Sequence, residues 1–437
     1  MTELKRSLGF WGATGIGIGA IIGTGIFVLI GVASGIAGPA VILSFIIAGF
    51  VALLTGLSTA ELSSFIHESG GSYIYATKAF GAFPGFVVGW MKSFDYIVGA
   101  SAVSVGFAAY FTYFVNIPAA AGTLVIVATI WPIILMLLNL QGIKEASGTN
   151  NLLVALKILA LLIFIVVGAA ALFTSGNFSN YHPFLPTGFS GVMSGAAIIF
   201  FAFIGFNTIA VMAEEIRDPE KNVPRAILFA FAVCTLIYVG VSIVAVGIVN
   251  WQTLGSSSAP LEFALKAVTD NFFILEFVAI SALFATTSVI MASIMGGSRA
   301  LFAMARQGVL PVKLSTVSRQ GVPAFTILLC GLIISGIVIV TGGNLDWLAS
   351  LFNFGTLLTF FFINLSLLKL RRTMPEVKRS FRVPFYPYTP IFAMISCIAL
   401  AFYLNANAVM TACVFLVLGV IVYNLNKKRR KPAISSA

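Results

Sequence analysis

Apolar runs of about twenty residues follow one another almost without interruption from Phe10 to Leu425, and about twenty residues is the length at which a helix crosses a bilayer core. In hydrocarbon, every backbone N–H and C=O must be satisfied within its own segment, so such runs fold as helices. Only 9% of the 437 residues are charged, against roughly 25% in an ordinary soluble domain. The chain therefore reads as an all-α integral membrane protein, one membrane domain over 1–437. Spans are expected near 9–34, 39–64, 83–114, 120–140, 149–173, 190–215, 225–249, 272–305, 323–341, 346–369, 387–404 and 408–425, about twelve in all. The span near 272–305 is longer than a bilayer requires and should tilt or protrude.

The formal net charge of +11 might point to nucleic acid, but the positions of the charges point elsewhere. With the N-terminus placed inside, the inner set holds Lys5, Arg6, Lys78, Lys144, Arg217, Lys221, Arg225, Arg306, Lys313 and Arg319, then Lys369, Arg371, Arg372, Lys378, Arg379, Arg382 and the tail from Lys427 to Lys431. The outer loops hold only Lys266. This is the positive-inside pattern, so both termini are expected in the cytoplasm of a multi-pass protein of the cell membrane. The basic excess then reports topology and contact with anionic lipid, with no role for nucleic acid. No signal-peptide cleavage pattern precedes the first span. Cys234, Cys330, Cys397 and Cys413 lie in apolar segments and read as packing residues, and His67 and His182 sit in separate loops. Neither a metal site nor a cofactor is expected.

Gly15 to Phe27, GIGIGAIIGTGIF, places five glycines and a threonine inside the first span. Glycine in a helix interior costs about 1 kcal/mol relative to alanine. At membrane depth a glycine cluster has two readings that spacing alone leaves level. One is a small-xxx-small packing face, Gly15 with Gly19 and Gly19 with Gly23. The other is a helix broken to bind substrate. The sixth span carries Gly205 and Asn207 among Phe200, Phe201, Phe203 and Phe206. A second irregular segment five helices after the first points to an inverted-repeat transporter.

Lys157 and Asp95, with Lys92 close to the latter, are the charges that stand within the membrane interior of the spans. Lys157, near the middle of the fifth, costs about 2.5–3.5 kcal/mol to insert at a helix centre and is a functional candidate by default; the alternative is that it snorkels to the cytoplasm. Asp95, in the third, either pairs with Lys92 at i,i+3 or borders a pocket, and the two readings stand level.

GIGIGAIIGTGIF, AELSSFIHESGGSYIYATKAFG (Ala60 to Gly81), AEEIRDPEKNVPRAI (Ala213 to Ile227) and SRALFAMARQGVLP (Ser298 to Pro311) together resemble the amino acid–polyamine–organocation (APC) superfamily, closest to bacterial and archaeal proton-coupled relatives of cationic amino acid transporters. The resemblance implies a LeuT-type 5+5 inverted repeat with broken helices 1 and 6. The first repeat would cover 1–173 and the second 190–371, with two peripheral helices over 387–425 and a basic cytoplasmic tail over 426–437.

It also implies a site. Gly23, Thr24 and Gly25 would present amides, and Thr24 its hydroxyl, to a substrate carboxylate. The carbonyls of Ile21, Phe201 and Ile204 would accept from the ammonium, with Phe201 also an aromatic gate. Thr24 has a bland alternative, a hydroxyl bonded back to its own helix. Asp95 and Gly99 would border the side-chain pocket. The ammonium of Lys157 would stand where sodium-coupled relatives hold the ion, bridging the Gly19 carbonyl to Thr287 or Ser288, and would carry the coupling proton. Asn207 departs from members that carry an acid at that position, and an amide does not titrate.

Glu61, Glu214 and Glu215, at cytoplasmic helix ends, read as inner-gate or structural ion-pair residues. The expected function is secondary active, proton-coupled import of L-amino acids by alternating access. The alternatives are an exchanger and, in another class, a non-transporting sensor. No enzyme motif is present: neither HExxH nor GxSxG fits. Amino acid, protons and membrane lipid are the expected partners, and a monomer or weak homo-oligomer the expected state.

Overall fold

The computed structural model describes residues 8–66, 68, 70–141, 147–306, 308–318 and 321–425, with side chains omitted at 147–151, 211 and 214. Lys5, Arg6, His67, Lys144, Arg319 and the 426–437 tail lie outside the described residues, as does the side chain of Glu214.

The first span is cut into α1 (Phe10–Ile21), α2 (Thr24–Phe27) and α3 (Leu29–Ala37). There follow α4 (Val41–Ser63), α5 (Ser72–Phe80), α6 (Ala82–Phe114), α7 (Ala121–Leu140) and α8 (Ser147–Ser175). Then come α9 (Gly188–Ile199), a 3-10 stretch Phe200–Phe206, α10 (Asn207–Val211) and α11 (Pro219–Ile248). Two short helices, α12 (Trp251–Ser256) and α13 (Pro260–Lys266), precede α14 (Phe272–Arg306), α15 (Ala324–Thr341) and α16 (Leu345–Thr373). The last are α17 (Tyr388–Ala401) and α18 (Ala406–Leu425).

Among the described residues, ten helical stretches are long and apolar enough to cross a membrane, where about twelve spans were expected. Two causes account for the difference. The break leaves α1 as a piece of 12 residues, too short to cross alone, while α3 runs on into α4 as one apolar stretch, Leu29–Ser63. The other short piece is α17, at 14 residues. α14 is the long helix anticipated from 272–305, at 35 residues. Outside the expected spans, α5 and the α12–α13 hairpin are helical where loops were expected.

The apolar side chains sort into two main cores. The larger joins α1, α4, α9, the 3-10 stretch, α11 and part of α16. The smaller joins parts of α7 and α15 to α14 from Ile290 onward, the earlier turns of α14 from Val278 to Ala285 lying in the larger. α6 serves both: Met91, Phe94, Val98, Ala102 and Val105 face the first, whereas Phe86, Ile97, Ala100, Val103 and Phe107 face the second. The 3.6-residue period of a helix that is apolar on more than one side allows this double face.

Candidate functional site

α1 ends because Ile22 turns extended (φ −76°, ψ 102°) and Gly23 opens wide (φ −153°, ψ −149°) before the helix resumes at Thr24. A resumed helix has N–H groups at Gly23, Thr24 and Gly25 that lack partners within the helix itself. Thr24 is buried, and its hydroxyl has no hydrogen-bond partner among the described residues. It does not bond back to its own helix, as a threonine in a continuous helix commonly does.

The sixth span behaves differently from the expectation of a second open break. Phe200–Phe206 tightens into a 3-10 helix while keeping helical dihedrals at both ends, Ile199 at φ −64°, ψ −20° and Phe206 at φ −61°, ψ −27°. Overwinding changes which carbonyls find helical partners. Those just before it are taken by a neighbour: the Asn353 amide of α16 donates to the carbonyls of Ala197 (2.7 Å) and Ile198 (3.0 Å).

The two irregular segments cross in direct contact, which explains two of the glycines. A Cβ on Gly25 would lie 2.4 Å from the Ala202 Cα, and one on Gly205 would lie 2.2 Å from the Ala20 carbonyl carbon. Tyr238, in the middle of α11, fastens the crossing by donating to the Ile21 carbonyl at 2.8 Å and approaching that of Ala202 at 3.3 Å. A carbonyl accepts two hydrogen bonds, so Ile21 retains one lone pair. Tyr110 of α6 holds the far end of the break through the Phe27 carbonyl at 2.7 Å.

Of the phenylalanines flanking the 3-10 stretch, Phe203 and Phe206 are fully buried against Phe231, at 5.5 and 5.9 Å. Phe201 is partly exposed and meets the Phe352 ring at 4.4 Å. Phe352 also lies over Gly99, whose Cβ would fall 2.8 Å from that ring. Gly99 is thus roofed by an aromatic side chain.

One turn along α6, Asp95 is buried and faces α16. Its Oδ2 accepts from the Thr356 hydroxyl at 3.0 Å, and a Cβ on Gly355 would strike its Oδ1. The i,i+3 contact with Lys92 is present but long, 3.9 Å. Its Oδ1 has no hydrogen-bond partner among the described residues.

Lys157 is buried, with its Nζ 3.2 Å from the Gly19 carbonyl and 3.0 Å from the Ser288 hydroxyl. It does not snorkel. Thr287, the other acceptor considered, instead accepts from the Trp131 indole at 3.2 Å. Adjacent residues on a helix point about 100° apart, so one faces α8 and the other α7.

Glu61 forms the ion-pair cluster expected of it, fully buried at the end of α4. Arg371 binds it through two nitrogens, at 2.6 and 2.5 Å, the Val383 N–H donates at 2.6 Å, and Arg379 stands at 3.5 Å. Glu215 contributes backbone only, its carbonyl accepting from the Leu8 N–H at 3.1 Å. A groove with a cavity of about 350 Å³ runs beside the site between α1 and α8, lined by Trp11, Thr14, Ile18, Val154 and Ile158 among others. No cluster of histidine, cysteine and acidic side chains able to hold a metal occurs among the described residues.

Reading the residues alone missed several participants, Tyr110, Tyr238, Phe352, Asn353 and Thr356 among them. Tyr238 and Asn353 carry a signal, since a hydroxyl or amide at membrane depth needs a partner. Phe352 carries none, being one of 40 phenylalanines.

A helix broken around glycines, crossed by an overwound helix and flanked by a buried lysine, is the kind of arrangement on which transporters build substrate sites. The amino acid permease family profile matches residues 12–434, and the chain belongs to that family, within the APC superfamily. It is 35% identical to the branched-chain amino acid permease BcaP of Bacillus subtilis (strain 168), covering 98% of this chain and 94% of that protein. A methylthioribose transporter of the same organism is also 35% identical, with the same coverage of both chains. Cationic amino acid transporter 9, chloroplastic, of Arabidopsis thaliana is 33% identical over 71% of this chain and 57% of its own length. The protein is accordingly a multi-pass amino acid transporter rather than an enzyme.

Proposed function

We infer that the protein imports L-amino acids with uncharged, apolar side chains, coupled to protons, by alternating access across the cell membrane. Twelve crossings in two inverted five-helix repeats, 1–173 and 190–371, carry the transport path, with both termini cytoplasmic. The observation that carries the coupling is Lys157, whose ammonium joins the Gly19 carbonyl of the broken helix to Ser288 of α14. Loss of its proton removes the charge that holds the three helices together. The amino acid head group sits at the break, its carboxylate on the Gly23–Gly25 amides and the Thr24 hydroxyl. Its ammonium meets the free lone pair of Ile21 and the carbonyls of Phe201 and Ile204.

An apolar side chain is favoured because the space beyond the break is bounded by Phe201, Phe352 and Gly99, while Asp95 turns its Oδ2 to Thr356 and Lys92, its Oδ1 lacking a hydrogen-bond partner among the described residues. The relative named for branched-chain amino acids agrees with this side-chain class; a cationic side chain would need the Asp95 carboxylate turned toward it.

The test is uptake into proteoliposomes against a panel of amino acids, with and without an inwardly directed proton gradient and without internal substrate. Wild type accumulates branched-chain amino acids on the gradient. Lys157→Met retains counterflow but loses gradient-driven accumulation. Accumulation by that variant sinks the coupling role, a need for internal substrate makes the protein an exchanger, and counterflow with no amino acid overturns the substrate class.

A further inference from the structure

Glu262 lies in α13, on the face opposite the start of α1, and the mechanism above does not use it. It is fully buried, and neither carboxylate oxygen has a hydrogen-bond partner among the described residues. A bare ionised carboxylate in such a place is costly, and the group neutralises instead. Burial pushes its carboxyl up to about 9, the neighbouring Glu276 of α14 adding to the shift and Lys266 opposing it. Tyr110 and Tyr113 of α6 also face it. The segments of α3, α8, α11 and α12 at this end bear no titratable side chain.

The hairpin that carries Glu262 is seated on the second half of the broken helix. A Cβ on Gly255 would fall 2.6 Å from the Gly35 Cα, and one on Gly31 would meet the Leu254 carbonyl at 3.0 Å and Pro260 at 3.1 Å. Beside it the Tyr110 hydroxyl lies between the Phe27 carbonyl and the Leu261 backbone. Glu262 is therefore one residue from the point where hairpin, α6 and broken helix meet.

We propose that Glu262 is a proton-binding site on the outer face, and that its protonation latches the α12–α13 hairpin onto α3 and so holds the outer end of the pathway shut. Docking takes up one proton from the outer solution, and undocking returns it to the same side. The site therefore carries no net proton across the membrane. It sets how readily the outer side closes at a given external pH. The gating role rests on the transporter reading; docking of the hairpin does not.

The sign follows from proton linkage. The undocked carboxylate titrates near its ordinary value, about 4.3, and the docked one near 9. Between those values docking binds one proton that the open form lacks, so the opening constant rises about tenfold per pH unit and levels off above the upper value.

Hydrogen exchange by mass spectrometry of peptides over 250–266, in nanodiscs without substrate from pH 6 to 10 and corrected for intrinsic exchange rate, reads this directly. Wild-type protection is expected to fall about tenfold per pH unit up to about pH 9 and then flatten. Glu262→Gln is expected to show a flat profile. Glu276→Gln removes a like charge and brings the plateau to lower pH; Lys266→Met removes the opposing charge and moves it higher. A flat wild-type profile, or the same slope in wild type and Glu262→Gln, overturns the proposal. Because no substrate or gradient is present, that failure is separate from failure of the transport assay.

Discussion

Thr24 shows how a single side chain reveals its purpose through what it leaves undone. A buried hydroxyl without a partner costs about 1–3 kcal/mol in protein mutational data. A threonine in a membrane helix has an easy remedy, its own i−4 carbonyl, and Ser34, Ser58, Ser101 and Ser104 all use it. Thr24 does not, because the break at Ile22–Gly23 separates it from Ala20, four residues earlier in α1. Thr24→Val, of nearly equal volume, is therefore expected to leave thermal stability in detergent unchanged or slightly raised. A hydrogen bond to a charged carboxylate contributes about 1.5–3 kcal/mol, so KM for the amino acid should rise roughly 10- to 100-fold. An unchanged KM would remove Thr24 from the site.

At the scale of elements, the question is why one break was legible and the other only half so. Five glycines in thirteen residues leave the first span little helical preference at Gly23–Gly25, and that is where it opens. The sixth span offered Gly205 and Asn207, but Gly205 serves close approach: the chain stays helical and tightens while the Ala20–Ile21 backbone presses on it. A residue-type pattern signals that something unusual happens; whether a helix opens or overwinds depends on what crosses it, which is tertiary. The same holds for Thr287 and Ser288, where choosing between neighbours needed the rotation of α14, and for Phe352. Long apolar runs and the buried lysine were legible because bilayer length and the cost of a charge apply to any sequence.

Gly205→Ala makes the crossing testable. Alanine gains up to about 1 kcal/mol of helix propensity, but its Cβ would sit 2.2–2.4 Å from backbone atoms of Ala20 and Ile21. Overpacking against backbone costs typically 1–3 kcal/mol and wins. The variant should unfold at lower temperature and transport poorly. Gly336→Ala in α15, where nothing lies within 4 Å of the new Cβ, should be neutral or stabilising in the same melting experiment. Equal effects at the two glycines would mean that the segments do not press together.

For the whole molecule, the division into two cores has a mechanical consequence. Closely packed bodies move as units, because interiors resist deformation far more than interfaces do. The broken helix, with Ile22, Ile26, Phe27 and Val28, belongs to the larger core, Phe201 packs against both, and α14 passes from the larger core at Ala285 to the smaller at Ile290. Lys157 binds Ser288 at that passage, so the candidate site lies beside the boundary. Transport then requires the boundary to work while each core stays whole. Two disulfides separate these demands. Cys330 already lies with its Sγ 3.4 Å from where a Cβ on Gly297 would be, both within the smaller core. A Cβ on Gly106 of α6 would lie 2.9 Å from Val28 Cγ2, where the broken helix packs against α6. Oxidised Gly297→Cys, paired with native Cys330, should transport as before, since its two ends move together. Oxidised Val28→Cys/Gly106→Cys should stop uptake and recover it on reduction, because the bond ties the second half of the broken helix to α6. Recovery after reduction distinguishes a locked protein from a misfolded one. Uptake that continues through the oxidised Val28→Cys/Gly106→Cys pair would mean that the broken helix does not move against α6 during transport.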